Sequence, residues 1–496
     1  DFLAAYAELN PKIIRPLGWL NPNEGNNFSD YAYTKAQTDL AYHTAGYPPG
    51  LWAGTIAGTD TYTCSAAADT PVAWTDGEII QGMATNANTS TTPTLDVASR
   101  GAKTIVSMFA AALAVGEIAN DQLATFVYDA VLDKLLYKSG GLRSRVPLSV
   151  NVAFANALGV DLWVTLPHLF TGGSVESIAN QIKSSLNASR TIYIEYSDEM
   201  WNFGGGFPQT SWAVSRGAAL GFDAGNNRRY HGVYAKRFCE IADIFNTVWG
   251  GSTSPRLQMV LAFQAFGVPG LSGSTATYRM NGSDLGAWGF DTAPNRPRDK
   301  AHVYSYATYY SGINAGATDA AYSAPMTDLL DAADDYDSGT SALMESALDW
   351  LDDDIRGATA TAQTLKKLND DICPAWETIA AGHGKDVICY EGGLEIAAPS
   401  TSRLTVLGID TAYSAKIAAL YSAYRLNWRC KVLVSAQLRQ FMAQAHSVAP
   451  ALFVAFGGSQ WALHEGDLYS TPRQSWEAAV LKNSGRESFA LTIQAA

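Results

Sequence analysis

Two glutamates, each placed directly after a strand-like apolar run, are the residues of this sequence best suited to chemistry. Glu199 follows the run 191–196 and a Ser-Asp pair, and a tryptophan stands two residues later. Glu391 follows the run 386–390 and precedes two glycines. Cleavage of a glycosidic bond needs a protonated carboxyl group to assist the leaving oxygen and an ionised carboxylate to attack the anomeric carbon or activate water. The pattern therefore predicts a glycosidase pair, with Glu199 as the acid and Glu391 as the nucleophile.

A single glutamate after a strand more often caps a neighbouring helix or pairs with an arginine. Two such glutamates, each beside aromatic residues and glycines, favour the catalytic interpretation. Their long separation in the sequence is expected in a parallel barrel, because the C-terminal ends of all strands open on the same face.

The composition limits the classes of partner. The 496 residues are 47% hydrophobic, enough for a large core and for more than one typical domain. A net charge of −13 argues against nucleic acid or an anionic membrane surface, and it is compatible with a neutral polysaccharide. The 13 Trp and 24 Tyr residues can stack on sugar rings, although most aromatics pack in cores. The five scattered cysteines indicate no metal site, no apolar run reaches membrane-spanning length, and we expect no cofactor.

Strand-like runs alternate with longer amphipathic stretches, which predicts a parallel α/β architecture. Seven strands are predicted, at residues 12–15, 160–166, 191–196, 256–263, 301–306, 386–390 and 451–456. Helical spacing recurs in the stretches 175–186, 230–248 and 413–426. An eight-stranded barrel needs one more strand, and three sources stay open: truncation of the chain, a strand from another chain, or Ser488–Gln494. Truncation is the source we favour.

Two segments depart from the strand-helix alternation. The segment 54–140 is rich in Gly, Thr, Ala and Asp and predicts an inserted β-rich module, although the stretch Ile105–Leu113 also fits a helix. The module would separate a first barrel part, 1–53, from a second, 141–483, and would leave 484–496 as a C-terminal strand or tail. The segment 315–381 is acidic and helical without calcium-loop spacing, which favours a solvated face over an ion site.

Several motifs carry a family resemblance. They are Arg15-Pro-Leu-Gly-Trp19 with Asn23, the stretch Val146–Gly159, Leu166-Pro167-His168, the stretch Tyr193–Asn202, and Tyr390-Glu-Gly-Gly393. Together they resemble a group of bacterial, cellulase-like proteins from the large clan of retaining glycoside hydrolases. The resemblance implies a (β/α)8 TIM barrel and retention of anomeric configuration. It also implies Glu199 as acid/base on the fourth strand and Glu391 as nucleophile on the seventh.

The resemblance also implies substrate-binding residues at the strand ends. Arg15 would direct its guanidinium at Glu391 and hold that carboxylate ionised. The remaining positions are His168 and Tyr309 on the floor of the sugar subsite, Trp461 as a stacking platform, and Trp19 and Trp201 as platforms or as rim packing.

Two positions depart from the pattern of the clan. Asn usually precedes the acid/base residue and donates to the sugar 2-hydroxyl, whereas this chain has Asp198, which can only accept when ionised. Either Asp198 accepts from the hydroxyl, or the sugar offers a cationic 2-amino group, or activity is reduced. A second negative charge would also help Glu199 to stay protonated. Gly18 replaces the family's acidic residue, so the substrate is not carried over from the family.

The inserted segment has a resemblance of its own. The runs 58–63, 85–89, 94–97, 101–105 and 127–129 are similar to β-rich modules that recur in bacteriophage tail proteins. This implies an extracellular or virion location, a host surface or capsular polysaccharide as substrate, and other tail proteins as partners. The alternative is a barrel without catalysis, kept as a polysaccharide-binding or structural tail module. Asp198 and the missing strand motivate that alternative.

Overall fold

The computed structural model describes part of the chain, and the predictions for Trp19 and Trp461 lie outside it. The described residues are 13–15, 52–64, 73–107, 109–118, 122–139, 148–170, 172–203, 207–223, 225–251, 254–265, 267–269, 275–310, 341–356, 365–394, 401–406, 409–426, 453–457 and 489–493. Contacts divide the chain into two compact units. The first unit comprises Asp1–Arg15, Phe263–Ser272 and Val303–Ala496, and the second comprises Pro16–Ala262 and Gly273–His302.

The protein has a mixed α/β fold. The strands are β1 (Ile13–Arg15), β2 (Trp52–Ala57), β3 (Thr61–Cys64), β4 (Ile79–Ala84), β5 (Thr94–Val97), β6 (Lys103–Ser107), β7 (Gln122–Asp129), β8 (Lys134–Ser139), β9 (Asp161–Leu166), β10 (Ile192–Tyr196), β11 (Leu257–Phe263), β12 (Val303–Tyr310), β13 (Asp386–Leu394), β14 (Phe453–Gly457) and β15 (Phe489–Ile493). The α-helices are α1 (Leu148–Leu158), α2 (Gly172–Ser185), α3 (Pro208–Ala219), α4 (Asn226–Trp249), α5 (Thr275–Asn281), α6 (Pro297–Lys300), α7 (Ser341–Arg356), α8 (Leu365–Lys367), α9 (Cys373–Gly382), α10 (Thr401–Val406) and α11 (Ser414–Leu426).

The second unit contains three neighbouring parallel strands. β10 pairs in parallel with β9 on one side and with β11 on the other. Side chains alternate between the two faces of a strand, so Ile192, Ile194 and Tyr196 share one face and Tyr193 and Glu195 the other. The first face packs against the helices, because the Tyr196 ring lies 5.6 Å from the ring of Tyr234 on α4. The three strand ends therefore meet at one edge of the sheet.

Helices α3 and α4 follow β10 and cover it. Apolar residues buried at three-to-four spacing along α4, such as Tyr234, Phe238 and Ile241, explain the long helix predicted from the sequence. Gly217 lets α3 approach α4 closely, because a Cβ at this position would lie 2.8 Å from the carbonyl oxygen of Arg229. α4 ends at Gly250, whose φ of 89° is the left-handed conformation typical of helix ends.

Strands β2 to β8 form a closed barrel inside the second unit, in the order β2-β3-β5-β6-β8-β7-β4. Its core is formed by apolar side chains with no exposed surface, including Ile56, Leu95, Phe126 and Leu135. Ile105 belongs to this core as part of β6, so the ambiguous stretch begins as a strand and not as a helix. The predicted domain limits themselves stay predictions.

The first unit contributes five further parallel strands. β12 pairs with β13, and β15 pairs with both β1 and β14. The C-terminal segment thus forms an eighth parallel strand, which is a different source from the one that the sequence pattern led us to favour. Its short alternating run is held as a strand by hydrogen bonds to β1 and β14, which the sequence does not display. With β9, β10 and β11, the described residues contain eight strands with parallel pairing.

Two of the predicted strand ends are wrong. The fifth predicted strand was expected to end at Tyr306 and continues to Tyr310, and the sixth was expected to end at Tyr390 and continues to Leu394. The two strands pair with each other over these extensions. Main-chain hydrogen bonds to a neighbouring strand do not depend on side-chain type, so a pairing can extend into glycines that end an apolar run.

None of the helices in the described ranges is both long and apolar enough to span a membrane.

We expect Asp129→Ala to destabilise the protein by about 3–5 kcal/mol, because it leaves the Arg216 guanidinium, whose side chain is 13% exposed, without its closest carboxylate. Asp129 is 1% exposed and accepts hydrogen bonds from Arg216 and from Trp212 Nε1, both at 2.7 Å. Asp243→Ala is the control, because Asp243 is half-exposed and pairs with Lys300 at the surface, and it should change stability by less than about 1 kcal/mol. Urea unfolding measures both. Equal small losses would show that Asp129 is not a structural anchor.

The Glu377 carboxyl gives a prediction for the pH dependence of stability. Burial raises its pKa from 4.5 to about 7, so the folded state binds a proton more readily than the unfolded state. The free energy of unfolding should therefore fall as pH rises from about 4.5 to about 7. We expect Glu377→Gln to raise stability at pH 8 by about 1–2 kcal/mol, allowing for its partial exposure, and to change it little at pH 4. Glu176→Gln on the exposed side of α2 is the control. If Glu377→Gln raised stability equally at pH 4 and pH 8, the gain would not come from the raised pKa of Glu377.

Candidate active site

Glu199 lies in a strained turn at the C-terminal end of β10. Its φ is 36° and that of Ser197 is 57°, both in the left-handed region that residues other than glycine rarely adopt. Such strain persists only where the surroundings hold it, and it concentrates at active sites. Here the turn is held by the Ser197 amide, which donates to Leu166 O at 2.9 Å, and by Gln209 Nε2, which donates to Asp198 O at 2.6 Å.

The Glu199 carboxyl group is half-buried and oriented by its own turn. Asn202 Nδ2 donates to Glu199 Oε2 at 2.9 Å, and the Asn202 amide donates to Glu199 O at 2.8 Å. Met200 anchors the turn in the core with no exposed surface, whereas Phe203 is 54% exposed. The turn therefore presents one carboxyl group and one aromatic ring at the edge where the parallel strands end.

Two further carboxylates lie close to Glu199 in the sequence. Asp198 is only 4% exposed. Glu195 is 1% exposed and accepts hydrogen bonds from Trp163 Nε1 at 3.0 Å and Thr165 Oγ1 at 2.9 Å, both on β9. Glu195 is thus a structural acceptor inside the sheet, whereas Asp198 and Glu199 belong to the turn.

His168 lies at the matching end of β9. It is 1% exposed, its carbonyl oxygen accepts from Tyr196 Oη at 3.1 Å, and its ring meets the edge of Trp212 at 4.9 Å. The parallel register places this residue at the same edge of the sheet as the Glu199 turn.

A buried cation next to Trp201 was not predicted from the sequence. The Arg279 guanidinium has no exposed surface and lies 3.6 Å from the ring centre of Tyr234 and 5.1 Å from that of Trp201. Its Nε donates to His231 Nδ1 at 3.1 Å and its Nη1 donates to Ala262 O at 2.5 Å, at the end of β11. Burial, together with the positive charge of Arg279, holds the pKa of His231 well below its usual range, so the imidazole is neutral. This Arg279 cluster fixes one side of the half-buried Trp201 ring. No motif in the sequence marks it, because its members are brought together only by the packing of α4 and α5.

The first unit carries the other predicted acid. Tyr306 on β12 pairs with Cys389 and Ala307 pairs with Glu391, so Tyr390 is an extra residue that bulges from β13. Bulges of this kind redirect side chains and occur next to active sites. Glu391 therefore lies within a strand and not after its end, and its side chain is outside the described part of the structure.

Arg15 lies next to this bulge. Its side chain is fully buried, Nη1 donates to Tyr390 O at 3.3 Å, and the guanidinium lies 5.3 Å from the centre of the Tyr390 ring. Tyr309 is half-buried on β12, opposite Gly393. A contact between Arg15 and the Glu391 carboxylate stays a prediction.

The predicted site residues thus form two groups. His168, Asp198, Glu199 and Trp201 lie together at one strand edge of the second unit, and Arg15, Tyr309 and Glu391 lie on paired strands or at their bulge in the first unit. The meeting of the two groups in one pocket stays a prediction. Within the described ranges, no group of three or more His, Cys, Asp or Glu side chains could hold a metal ion.

No protein-family model matches the chain, and no curated protein sequence matches it. Its function is therefore inferred from these residues and their geometry.

The strained turn predicts an unusual effect on stability. We expect Glu199→Gly to stabilise the protein by about 1 kcal/mol, because glycine adopts a φ of 36° without steric cost. Glu176→Gly, the same change inside helix α2, should destabilise by about 1 kcal/mol. Thermal and urea unfolding measure both variants. If both lose stability alike, the turn is not strained and the argument from strain to function fails.

Proposed function

We propose that the protein is a retaining glycoside hydrolase that cleaves within polysaccharide chains. The observation that carries the proposal is the strained turn after β10, which holds the half-buried Glu199 carboxyl group at the C-terminal edge of parallel strands. Backbone strain has an energetic cost, and a packed loop could avoid it. Its presence at an acid flanked by Asp198 and Trp201 supports a catalytic role for Glu199.

We propose a (β/α)8 barrel as the fold of the catalytic part. Eight parallel strands, with at least one helix between each consecutive pair from β9 to β14, match the strand number of a (β/α)8 barrel. Within the first unit, β13 lies beside β14. A closed (β/α)8 barrel requires these two strands to be neighbours. In such a barrel the C-terminal strand ends form one catalytic face, and Glu199 and Glu391 would both belong to it.

The proposed reaction is a double displacement. The Glu391 carboxylate attacks the anomeric carbon while Glu199 gives its proton to the departing glycosidic oxygen. The glycosyl-Glu391 ester is then attacked by a water molecule, whose proton passes to the Glu199 carboxylate. The second step releases the sugar with retained configuration and restores both groups. No metal and no cofactor takes part.

Contacts in the two units support the two roles. Asn202 donates a hydrogen bond to one carboxyl oxygen of Glu199, and this bond fixes the orientation of the carboxyl group. The buried Arg15 guanidinium bonds to the carbonyl of Tyr390, the residue before Glu391, and a cation at this place favours an ionised nucleophile. Trp201, backed by Arg279, offers an aromatic platform for a sugar ring. Asp198 would accept a hydrogen bond from a sugar hydroxyl or pair with a 2-amino group.

The resemblance of the inserted segment, which forms the closed β barrel of β2 to β8, to bacteriophage tail modules is the basis for a tail assignment. We propose a tail-borne depolymerase at the virion or outside the cell, with host surface or capsular polysaccharide as substrate and other tail proteins as partners. The second candidate is a polysaccharide-binding or structural tail module without catalysis. It is favoured by one observation, the buried Asp198 at the position where the clan that the sequence resembles carries Asn.

A set of isosteric variants separates the two candidates. We expect the wild-type chain to release new reducing ends from its polysaccharide, and Glu199→Gln and Glu391→Gln each to lower the rate by at least about 10²-fold. Glu176→Gln is the control: it makes the same change at an exposed position of a helix and should retain full activity. If wild type and variants bind a glycan equally and none forms product, the binding module is the correct assignment.

The pH profile tests the role of each acid. Activity should be bell-shaped, with the acidic limb reporting ionisation of the nucleophile and the basic limb reporting loss of the acid's proton. Glu199→Gln should abolish or shift the basic limb in the residual activity, measured with an activated aryl glycoside. A basic limb that does not change would remove Glu199 from the acid role.

A further inference from the structure

A cleft separates the closed β barrel from helices α2, α3 and α4 within the second unit. Its volume is about 620 Å³, inside the range of about 300–1,000 Å³ that is typical of ligand sites. Asp76, Tyr128 and Asp129 line it from the β barrel, and Arg216, Lys236 and Glu240 line it from the helices. We call it the barrel cleft. None of these six residues belongs to the proposed catalytic groups.

One wall of the barrel cleft is a fixed ion pair. Arg216 donates to Asp129 at 2.7 Å and lies 3.6 Å from Asp76, while Asp76 also accepts from the amide of Ala130 at 2.8 Å. Burial opposes the charge of Arg216, yet Asp129 and Asp76 raise its pKa above the usual value. The Arg216 guanidinium is therefore charged, and its contacts with Asp129 and Asp76 hold it in place before any ligand arrives.

The helical wall carries a second preformed group. Glu240 pairs with Lys236 and with Arg237, and Arg237 also donates to Phe170 O at 2.7 Å. Burial works against the ionisation of Glu240, but Arg237 and Lys236 hold its pKa below the usual value. Lys236 and Glu240 thus offer a donor and an acceptor side by side.

The mixture of positive and negative side chains that line the barrel cleft favours a neutral ligand. The lining contains four carboxylates, Asp76, Asp129, Glu240 and Asp243, and three cations, Arg216, Lys236 and Arg237. A polyanion would face the carboxylates, and a polycation would face the guanidinium and ammonium groups. A hydroxyl group both donates and accepts, so vicinal hydroxyls can bridge a neighbouring cation and carboxylate. The half-buried Phe290 adds an apolar surface for the CH groups of a sugar ring.

The barrel cleft also touches the strand edge that carries Glu199. Its lining includes His168, Leu169 and Phe170, which lie just after the end of β9, the neighbour of β10. The cleft lining and the Glu199 turn therefore share the same end of two paired strands.

We propose that the barrel cleft binds a run of neutral sugar units of the polysaccharide, beyond the units held at the catalytic face. The connection to a cleaved polymer rests on the proposed function, whereas the binding itself does not. The inserted β barrel then has a role as one wall of an oligosaccharide site.

The test is a binding experiment on the full chain carrying Glu199→Gln, which prevents turnover. Neutral hexose oligosaccharides of four to eight units, with gluco, galacto and manno configurations, are titrated by calorimetry beside a uronic acid oligosaccharide of equal length. We expect a neutral oligosaccharide to bind and the acidic one to bind more weakly. Saturation-transfer NMR on the bound sugar gives a second readout.

Two variants locate the binding. Lys236→Met removes a charged donor from the cleft and should raise Kd about tenfold. Gly172→Leu places a side chain at the edge of the cleft, where a Cβ would lie 3.7 Å from Ile244 Cδ1, and should weaken binding at least as much as Lys236→Met. The matched control is Lys366→Met, because Lys366 forms the same kind of i,i+4 ion pair with Asp370 in the first unit. It should leave Kd unchanged, and circular dichroism checks that all variants are folded.

The outcomes of this proposal and of the proposed function are distinguishable. If no neutral oligosaccharide binds, if the acidic one binds tighter, or if Lys236→Met and Gly172→Leu bind as tightly as Lys366→Met, the barrel cleft is not an oligosaccharide site, whatever the hydrolytic activity. If the cleft variants lose binding while the wild-type chain releases no reducing ends, the cleft site stands and the hydrolase proposal falls.

Discussion

The parallel register of β9, β10 and β11 is the constraint on which the candidate site of the second unit depends. A buried polar side chain supports this register: Glu195 is 1% exposed and accepts hydrogen bonds from Trp163 and Thr165 of the neighbouring strand. A slip of one residue would turn Glu195 to the helix-covered face, away from both donors. A buried polar group that loses its hydrogen-bond donors costs about 1–3 kcal/mol, so the alternative registers are disfavoured. The same register brings the ends of β9 and β10 together, and with them His168 and the Glu199 turn.

The Glu199 turn shows how such a scaffold supports strain. Left-handed backbone at Ser197 and Glu199 is unfavourable in isolation, yet the turn is bonded to Leu166 on β9 and to Gln209 on α3. The sheet and the helix that follows it therefore hold a conformation that the turn would not adopt alone. The Arg279 cluster acts in the same way on the other side, where it fixes Trp201 between α4, α5 and the end of β11.

Asp129 has the corresponding role at the inserted β barrel. It ends β7, and it binds Trp212 and Arg216 on α3 as well as the amides of Val131 and Leu132. A carboxylate that accepts this many hydrogen bonds at a buried position gives the β barrel a defined place against α3. The barrel cleft next to this contact is consequently a shaped cavity with fixed polar walls, and not a variable gap between two loosely linked parts.

Much of the fold was predictable, because strands and helices leave a local record in the spacing of apolar residues. The strands from Asp161 to Phe263 and the long helix α4 were placed within a few residues of their limits, and so was the acid-bearing turn after β10. The ends of β12 and β13 were not, because the pairing of the two strands continues beyond the apolar runs, over Ala307–Tyr310 on β12 and through Gly392 and Gly393 on β13. The role of the C-terminal segment as β15 was left as one of three possibilities, since strand partners distant in sequence leave no local signal.

The sequence by itself determined the types of residue and their order: carboxyl groups after apolar runs, an alternation of strands and helices, and a Gly-rich and Thr-rich β segment within it. Only the tertiary structure decided which of these groups meet. The bulge at Tyr390, the Arg279 cluster and the barrel cleft all join residues far apart in the chain, and their geometry follows from packing between elements. Side-chain spacing encodes one element at a time, whereas a site is made where several elements pack against each other.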